Sequence, residues 1–260
     1  MKAIWTGSIG FGLVNIPVKL YSATKASELD LDMLDKKDHA NIHFQRVNEH
    51  SGKVVEWANI VKGYKYKNKY VVLTDKDFEA AAAKKSKTIE IQDFIDEREI
   101  NTIYYEMPYY LEPEKNGARA YTLMRDALLK TGKVGIGTFV MRSKESLALI
   151  KPYENVLVLN KIRFAEEVRE AGDINVPAKT KAGAKELNMA VTLIDQLSGK
   201  FDLENYHDTY TQRLMKLIQA KAKGVKIAEP KLKVVHRQTD DLMEQLKASL
   251  GGAKKKRKAS

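Results

Sequence analysis

The N-terminal segment constrains the fold most strongly, because its apolar residues alternate with the period of a β-strand. Apolar side chains occupy every second position over Ile9–Leu13, and the alternation then continues from Val14 one residue out of phase. A slip of one residue moves apolar side chains to the opposite face, so a bulge or turn is needed between Leu13 and Asn15. Pro17 cannot donate to a strand ladder, which predicts an edge position or a break there.

The glycines of "GSIGFG" (residues 7–12) resemble a phosphate-binding loop but have the wrong spacing. A dinucleotide fingerprint needs G-x-G-x-x-G between a strand and a helix, and a P-loop needs Gly-Lys followed by Ser or Thr. Here the spacing is reversed and more strand follows. "TGKVGIGT" (131–138) fails in the same way, because Val134 stands at the Ser/Thr position. The glycines are better explained by a bulge or a close strand crossing in a β-barrel.

Residues 1–165 are predicted to form a β-rich domain of barrel or sandwich type with a few helices. A helix within 77–85 is capped by Thr74 and Asp77, and a second over 117–130 ends at Gly132. The strand patterns cover residues 29–34, 42–47, 61–73 with a tight turn at Asn68-Lys69, 88–95, 102–111, 134–142, 147–152 and 155–162.

The pattern changes to amphipathic helices after residue 165, which predicts a helical arm over 166–224. Residues 225–260 read as a linker and a basic disordered tail, since "GGAKKKRKAS" has too little apolar surface to fold. The arm either folds back on the barrel or serves dimerisation or partner docking. The two apolar stripes comprise Leu187, Val191, Ile194 and Leu197, followed by Leu203, Tyr206, Tyr210, Leu214, Leu217 and Ile218.

The sequence contains no recognisable catalytic motif, so no enzymatic activity, cofactor or metal is predicted. The chain has no cysteine, and His39 with His43, the only histidine pair at metal-ligand spacing, lies in a strand-like pattern without a carboxylate to complete a site. A G-x-S-x-G elbow is missing, and the acidic residues mostly adjoin Lys or Arg. A nuclease or ligase site without a recognisable motif remains an alternative.

The charge of the chain favours a polyanionic partner. The net charge is +11, from 45 Lys and Arg against 34 Asp and Glu, and "KKKRK" near the C-terminus holds five positive charges, so the rest still carries 11 − 5 = +6. Motifs for reading bases are missing, which favours phosphate contacts. The candidate DNA-binding residues are Lys62, Lys65, Lys67, Arg119, Arg125, Lys133, Arg142, Lys144, Lys254, Lys255, Lys256, Arg257 and Lys258.

Two other interpretations of this charge stay open. One is a DNA-coating architectural protein of the nucleoid, and the other is a soluble basic protein with no nucleic-acid partner. The opening residues lack a signal-peptide pattern, and no stretch approaches the ~18 consecutive apolar residues of a membrane span, so a soluble intracellular protein is expected.

Several long motifs closely resemble the bacterial Ku protein, the end-binding factor of non-homologous end joining. They are "AIWTGSIGFGLVNIPVKLYSAT", "IVKGYKYKNKYVVLTDKD", "YYLEP", "RSKESLALIKP" and "FDLENYHDTYTQRLMKLIQAK", and the likeness runs from Met1 to about Gly224. The resemblance implies a β-barrel core with a bridging arch, and a homodimer that closes a ring around duplex DNA. It also implies a protein without a catalytic site, located in the cytoplasm at the bacterial nucleoid.

The resemblance also implies a protein partner, the ATP-dependent ligase D of end joining. In the family, the segment matching residues 201–224 belongs to a minimal C-terminal region that engages this ligase, and a variable basic tail follows. Carried over by position, Tyr206, Tyr210, Leu214 and Leu217 become the candidate partner-binding residues. The alternative for these side chains is packing against the protein's own core.

Overall fold

A computed structural model of the protein describes residues 1–81, 87–141, 144–176, 183–225, 243–247 and 249–250. The chain divides into two compact units. The first comprises Met1–Ala26 and Asp30–Glu170, and the second comprises Ser27–Leu29 and the residues from Ala171 onward. Within the described segments, no helix is both long and apolar enough to cross a membrane.

A closed seven-stranded barrel dominates the first unit. The strands are β1 (Trp5–Phe11), β2 (Val14–Ser22), β3 (Lys62–Tyr66), β4 (Lys69–Leu73), β5 (Thr88–Asp96), β6 (Tyr105–Pro113), β7 (Lys133–Met141), β8 (Lys144–Tyr153) and β9 (Val156–Ile162). The barrel order is β1-β2-β6-β9-β8-β7-β5, while β3 and β4 form a separate hairpin. Neighbouring barrel strands are antiparallel except β1 and β5, which close the barrel in parallel. The barrel prediction is confirmed, and the sandwich alternative is wrong.

The slip in the N-terminal alternation is resolved by a tight turn between β1 and β2. Gly12 has a φ of +56°, in the left-handed region that favours glycine, and Leu13 beside it is fully exposed. The turn returns the apolar side chains of β2 to the interior, where Ile16 and Leu20 are completely buried. The turn predicted next to Leu13 therefore exists, but it begins at Gly12.

The edge position or break expected at Pro17 is wrong, because β2 continues through Pro17 and lies between β1 and β6. Pro17 pairs with Ser8 of β1 and stands just before the β2–β6 register, which begins at Val18 opposite Pro113. Its carbonyl accepts a hydrogen bond from the amide of Glu114 at 2.9 Å. The strand thus accommodates a proline at the point where pairing on one side starts.

Two barrel glycines allow backbones to approach more closely than any side chain would permit. A Cβ on Gly7 would lie 2.1 Å from the Lys87 carbonyl oxygen, and one on Gly137 would lie 2.0 Å from the Glu90 carbonyl oxygen. Both contacts involve β5 or the residue before it, and the β5–β7 register shifts between Ile91 and Asp93. The glycine-rich motifs therefore serve close strand crossing, as predicted.

Helix α2 (Ala118–Thr131) packs against β2, β7 and β8 and contributes to the main core. Its buried residues, Tyr121, Met124 and Leu128, belong to the same apolar cluster as the inward side chains of the barrel. The helix ends at Gly132, which adopts the left-handed conformation with its amide bonded to the Leu128 carbonyl at 2.9 Å. The predicted helix and its glycine end are confirmed.

Residues 30–81 form an extension with little regular structure apart from the β3–β4 hairpin and α1 (Asp75–Ala81). The strands predicted over 29–34 and 42–47 are wrong, because these segments form only isolated bridges, Leu34 with Asn41 and Val47 with Val54. Short alternating segments do not form strands without an adjacent sheet to pair with. The predicted cap of α1 is confirmed, since the amide of Thr74 donates to the carboxylate of Asp77 at 2.7 Å.

The second unit contains α3 (Ala184–Leu197) and α4 (Thr209–Ala222). Both helices were predicted, but α4 begins later than its apolar pattern indicated. Asp208 caps its first turn, and the described residues between α3 and α4 form only a short 3₁₀ turn, over Leu203–Asn205. Leu203 and Tyr206 therefore precede the helix and do not extend its apolar stripe.

Candidate nucleic-acid interface

The β3–β4 hairpin holds three of the predicted DNA-binding lysines. Lys62 and Lys65 lie on β3, and Lys67 lies in the turn. Lys67 and Asn68 have φ values of +43° and +66°, which is the signature of a two-residue turn whose twist matches a hairpin. The predicted turn at Asn68-Lys69 is displaced by one residue, because Lys69 is already the first residue of β4 and pairs with Tyr66.

The two faces of the hairpin follow from its register. Lys65 is the direct cross-strand partner of Tyr70, while Tyr64 pairs with Val71 on the opposite face. The alternation that places Tyr64 and Tyr66 on one face does not mark a core face, since their exposures are 66% and 56%. The hairpin presents tyrosines to solvent on both faces instead.

The hairpin is positively charged along its whole length. Residues 57–74 contain four lysines and no acidic residue, and Lys69 is a member of this set that the sequence reasoning missed. The ammonium of Lys62 lies 4.7 Å from the centroid of the Phe78 ring, and that of Lys67 lies 5.4 Å from the Tyr66 ring. The four positive charges stand on a solvent-exposed surface and suit a polyanion.

Helix α2 and the strand that follows it carry three more of the predicted residues. Arg119 and Lys133 are exposed. Arg125 is held in place, because its guanidinium donates to the Asn155 carbonyl at 2.8 Å and pairs with Asp126, also at 2.8 Å. With a side-chain exposure of 24%, Arg125 is less available to a ligand than Arg119.

Acidic residues partly neutralise the cations at the ends of the barrel strands. Lys144 lies 3.5 Å from Glu167 and keeps 70% of its side chain exposed. The guanidinium of Arg98 holds the pKa of Asp96 far below its usual range, and the charge of Lys133 contributes to the same shift. Asp96 is therefore ionised at neutral pH and offsets part of the positive field around Lys133.

A cluster on the barrel wall ties Lys151 to Glu97 and Tyr105. The ammonium of Lys151 is paired with the Glu97 carboxylate, which also accepts the Tyr105 hydroxyl at 3.1 Å. Burial and the adjacent carboxylate raise the pKa of Tyr105 to about 12. Lys151 is thus engaged within the protein and is not a candidate for phosphate contact.

The remaining predicted DNA-binding residues lie outside the described residues. They are Arg142, Lys254, Lys255, Lys256, Arg257 and Lys258. Within the described segments, no group of three or more His, Asp or Glu side chains is arranged to hold a metal ion.

The predicted partner-binding residues lie on and just before α4. Tyr206 and Tyr210 are 71% and 73% exposed, and Leu214 and Leu217 are half-buried. The ring of Tyr206 lies 5.9 Å from that of Phe201, so the segment before the helix has a small aromatic cluster of its own. Tyr210, Leu214 and Leu217 follow helical spacing and share one face of α4.

Fold and surface together define a β-barrel protein with a separate basic, tyrosine-bearing hairpin. A family model described as the Ku70/Ku80 beta-barrel domain matches residues 10–189. The chain belongs to the Ku family, as the sequence motifs predicted.

Curated relatives match nearly the whole chain, and each bears the name "Non-homologous end joining protein Ku". The relative from Bacillus subtilis (strain 168) is 43% identical over 96% of this chain and 82% of its own length. The relative from Coxiella burnetii is 37% identical over 99% and 97%, and that from Archaeoglobus fulgidus is 40% identical over 98% and 100%. A solved SPOC domain of human PHD-finger protein 3 has a TM-score of only 0.31 at 11% identity, over 62% of this chain and 97% of that domain, and does not inform the fold.

Proposed function

We propose that this protein binds the ends of double-stranded DNA without sequence preference, as a ring-shaped homodimer, in the repair of double-strand breaks by non-homologous end joining. In this role it performs no catalysis and recruits the ATP-dependent ligase D, which it stimulates. The observation that carries the proposal is the match to curated end-joining Ku proteins along nearly the entire chain.

The charge of the hairpin supports binding to the phosphate backbone. Lys62, Lys65, Lys67 and Lys69 project from a two-stranded element with no acidic residue between positions 57 and 74. Phosphate contacts by lysine carry no sequence information, which agrees with binding to ends of any sequence. Arg119 and Lys133 would add to this surface from α2 and β7, and the basic tail would add non-specific attraction.

The apolar surface of residues 30–60, which precede the hairpin, supports dimerisation. Phe44 is 78% exposed, and Met33 and Trp57 are 58% and 70% exposed, with the Arg46 guanidinium 4.4 Å from the Trp57 ring centroid. Exposed apolar surface on this scale is typical of protein interfaces. In the proposed homodimer a second copy covers it, and the two extensions close a ring around the duplex.

A ring accounts for end specificity without base contacts. A closed ring can load only where the duplex has a free terminus. Its lysines pair with the phosphates of any DNA sequence. A coating protein would load anywhere along the DNA. Covalently closed DNA therefore separates the proposal from the architectural alternative.

The solution mass with and without a short blunt duplex tests the dimer. We expect twice the chain mass for the free protein and a complex of two chains per duplex. A strictly monomeric protein in both samples would contradict the homodimer.

Competition between linear and covalently closed duplex of the same sequence tests end binding. We expect the linear duplex to compete strongly and the closed circle poorly. Equal competition by both forms would contradict end binding and favour the DNA-coating alternative.

End-labelled DNA incubated with the purified protein, a divalent metal and ATP tests the absence of catalysis. The expected result is unchanged DNA. Cleavage or joining without a partner enzyme would refute the non-catalytic role and favour the alternative of an unrecognised nuclease or ligase site.

A further inference from the structure

One face of the β3–β4 hairpin carries an exposed aromatic ring, that of Tyr70, which we call the platform. A Cβ placed on Gly63 would lie 3.5 Å from Cδ1 of the Tyr70 ring and 3.9 Å from the Tyr70 Cβ. The Tyr70 ring thus lies over the place where Gly63 lacks a side chain. With 73% of Tyr70 exposed, the other side of the ring faces solvent.

The backbone does not require glycine at position 63. Gly63 is not among the residues with positive φ, so other residues could adopt its conformation, and a β-branched residue would favour the strand. Glycine inside a strand often marks the close approach of a ligand or of another backbone. Here the position without a side chain lies within van der Waals distance of the Tyr70 ring.

The charge around the platform identifies the class of ligand. Lys65 is the cross-strand partner of Tyr70 and lies on the same face, and Lys67 stands at the tip of the hairpin. Aromatic side chains next to cations are the usual means of binding single-stranded nucleic acid, with bases stacked on the rings and phosphates paired with the cations. A protein covering this face would bury Lys65 beside a hairpin that offers no acidic partner.

We propose that the free face of Tyr70 stacks on an unpaired base of a single-stranded overhang at a DNA end, while Lys65 pairs with an adjacent phosphate. Paired bases are stacked within the duplex and cannot reach the ring, so the site distinguishes an overhang from a blunt end. This inference rests on the proposed end-binding function and specifies the form of the end.

Binding to matched DNA ends tests the inference. The probes are a blunt duplex and the same duplex with a single-stranded thymidine overhang, measured by fluorescence anisotropy with the full-length protein. We expect the wild type to prefer the overhang, and Tyr70→Leu to lose about fivefold of affinity for it with little change for the blunt duplex. The matched control is Tyr64→Leu on the opposite face, which we expect to keep the preference.

A second variant, Gly63→Val, perturbs the platform while Tyr70 itself is retained. Its two γ-methyl groups would extend beyond a Cβ position that is already 3.5 Å from the Tyr70 ring, so they would crowd the ring while the branched side chain favours strand formation. Loss of the overhang preference in this variant, with a wild-type unfolding temperature, would support the platform. Equal binding of blunt and overhang DNA by the wild type, or equal effects of Tyr70→Leu and Tyr64→Leu, would overturn it.

Photo-crosslinking locates the contact directly. With 5-iododeoxyuridine in the overhang, we expect a crosslink to Tyr70, and trypsin places Tyr64, Tyr66 and Tyr70 on separate peptides because a lysine follows each of them before the next. A crosslink confined to the other two peptides would exclude the proposed site. Failure of the wild type to bind the blunt duplex would refute end binding itself. Even then, crosslinking of the protein to isolated single-stranded DNA would test the platform.

The same samples distinguish a protein occupant. If Tyr70→Leu dissociates the homodimer while Tyr64→Leu does not, the face is covered by the second copy, and the inference is wrong. We expect both variants to have the wild-type mass by light scattering.

Discussion

The hydroxyl of Tyr121 accepts a hydrogen bond from the backbone amide of Leu157 at 2.6 Å. It also donates one to the Leu111 carbonyl at 2.6 Å, so a single side chain of α2 links β6 to β9. Burial raises the pKa of Tyr121, which keeps the hydroxyl protonated and able to donate at neutral pH. The helix is thereby fixed to the barrel by a polar contact as well as by its apolar face.

Replacing Tyr121 with Phe should destabilise the protein by about 2 kcal/mol, because it leaves a buried amide and a buried carbonyl without partners. Urea unfolding monitored by tryptophan fluorescence would measure the change. Tyr153→Phe is the control, since Tyr153 is 49% exposed at the end of β8. Equal stability of the two variants would show that the Tyr121 hydroxyl is not needed.

Replacing Gly137 with Ala should destabilise the barrel by about 3 kcal/mol, because the added methyl would overlap the Glu90 carbonyl, a backbone atom that cannot rotate away. Thermal unfolding followed by circular dichroism would detect it. Gly172→Ala is the matched control, since no atom lies within 4 Å of a Cβ at that position. A wild-type melting temperature for Gly137→Ala would mean that the strands can separate there without cost.

Much of the barrel was predictable from the sequence, because each barrel strand has neighbours whose pairing agrees with its own period-2 pattern. Val14 to Leu20 and residues 88–95 are examples, and both segments form strands. The segments over 29–34 and 42–47 have a similar alternation, but no sheet is available for them. Strand formation depends on these distant partners, which a local pattern does not contain.

The hairpin lysines were predictable because charge is a property of the sequence itself. The exposure of Tyr64 and Tyr66 was not, because an alternating pattern indicates two faces without indicating whether either face is covered. The platform at Tyr70 was missed for a related reason. Its only sequence signal is Gly63 in a strand, and that signal becomes meaningful once the register is known.

DNA affinity should depend steeply on salt if the ring contacts phosphates through its lysines. With ~8 phosphates neutralised, log affinity should fall against log salt with a slope near −7. Lys65→Gln removes two positive charges from a homodimer and should reduce the slope by about 2. Anisotropy titrations over a range of salt concentrations measure both values.

The matched control for Lys65→Gln is Lys36→Gln, which removes a lysine lying between Asp35 and Asp38 in the same extension. We expect its slope to equal that of the wild type. A wild-type slope near zero would exclude a phosphate-lined channel. If both variants reduced the slope equally, Lys65 would contribute only through the net charge of the protein.

The cap of α4 should weaken in acid. The hydroxyl and amide of Thr211 and the amide of Tyr210 all donate to Asp208 and lower the pKa of its carboxyl in the folded protein. The cap is therefore fully effective above the unfolded pKa of an aspartate, and its contribution is lost as pH falls through the folded value. Amide hydrogen-exchange protection of Tyr210 and Thr211, followed from pH 6 downward, should decrease in this range.

Asp208→Asn separates the charge from the hydrogen bonds, because asparagine also caps helices well. We expect near-normal protection of both amides at pH 6 in this variant and no additional loss in acid. Asp208→Ala should lose protection at every pH. An acid-induced loss of equal size in Asp208→Asn would show that another group causes it.

The apolar face of α4 should be needed for ligase D and not for DNA. Tyr210, Leu214 and Leu217 share this face, so truncating Tyr210 or Leu217 to Ala should weaken ligase binding about tenfold while leaving anisotropy with blunt duplex unchanged. Gln212→Ala, on a different face of the helix, is the control. Pull-down with purified ligase D and joining of linear DNA provide the two measurements. If both alanine variants instead unfold at lower temperature and bind the ligase normally, these side chains pack within the protein, as the alternative interpretation of the amphipathic pattern holds.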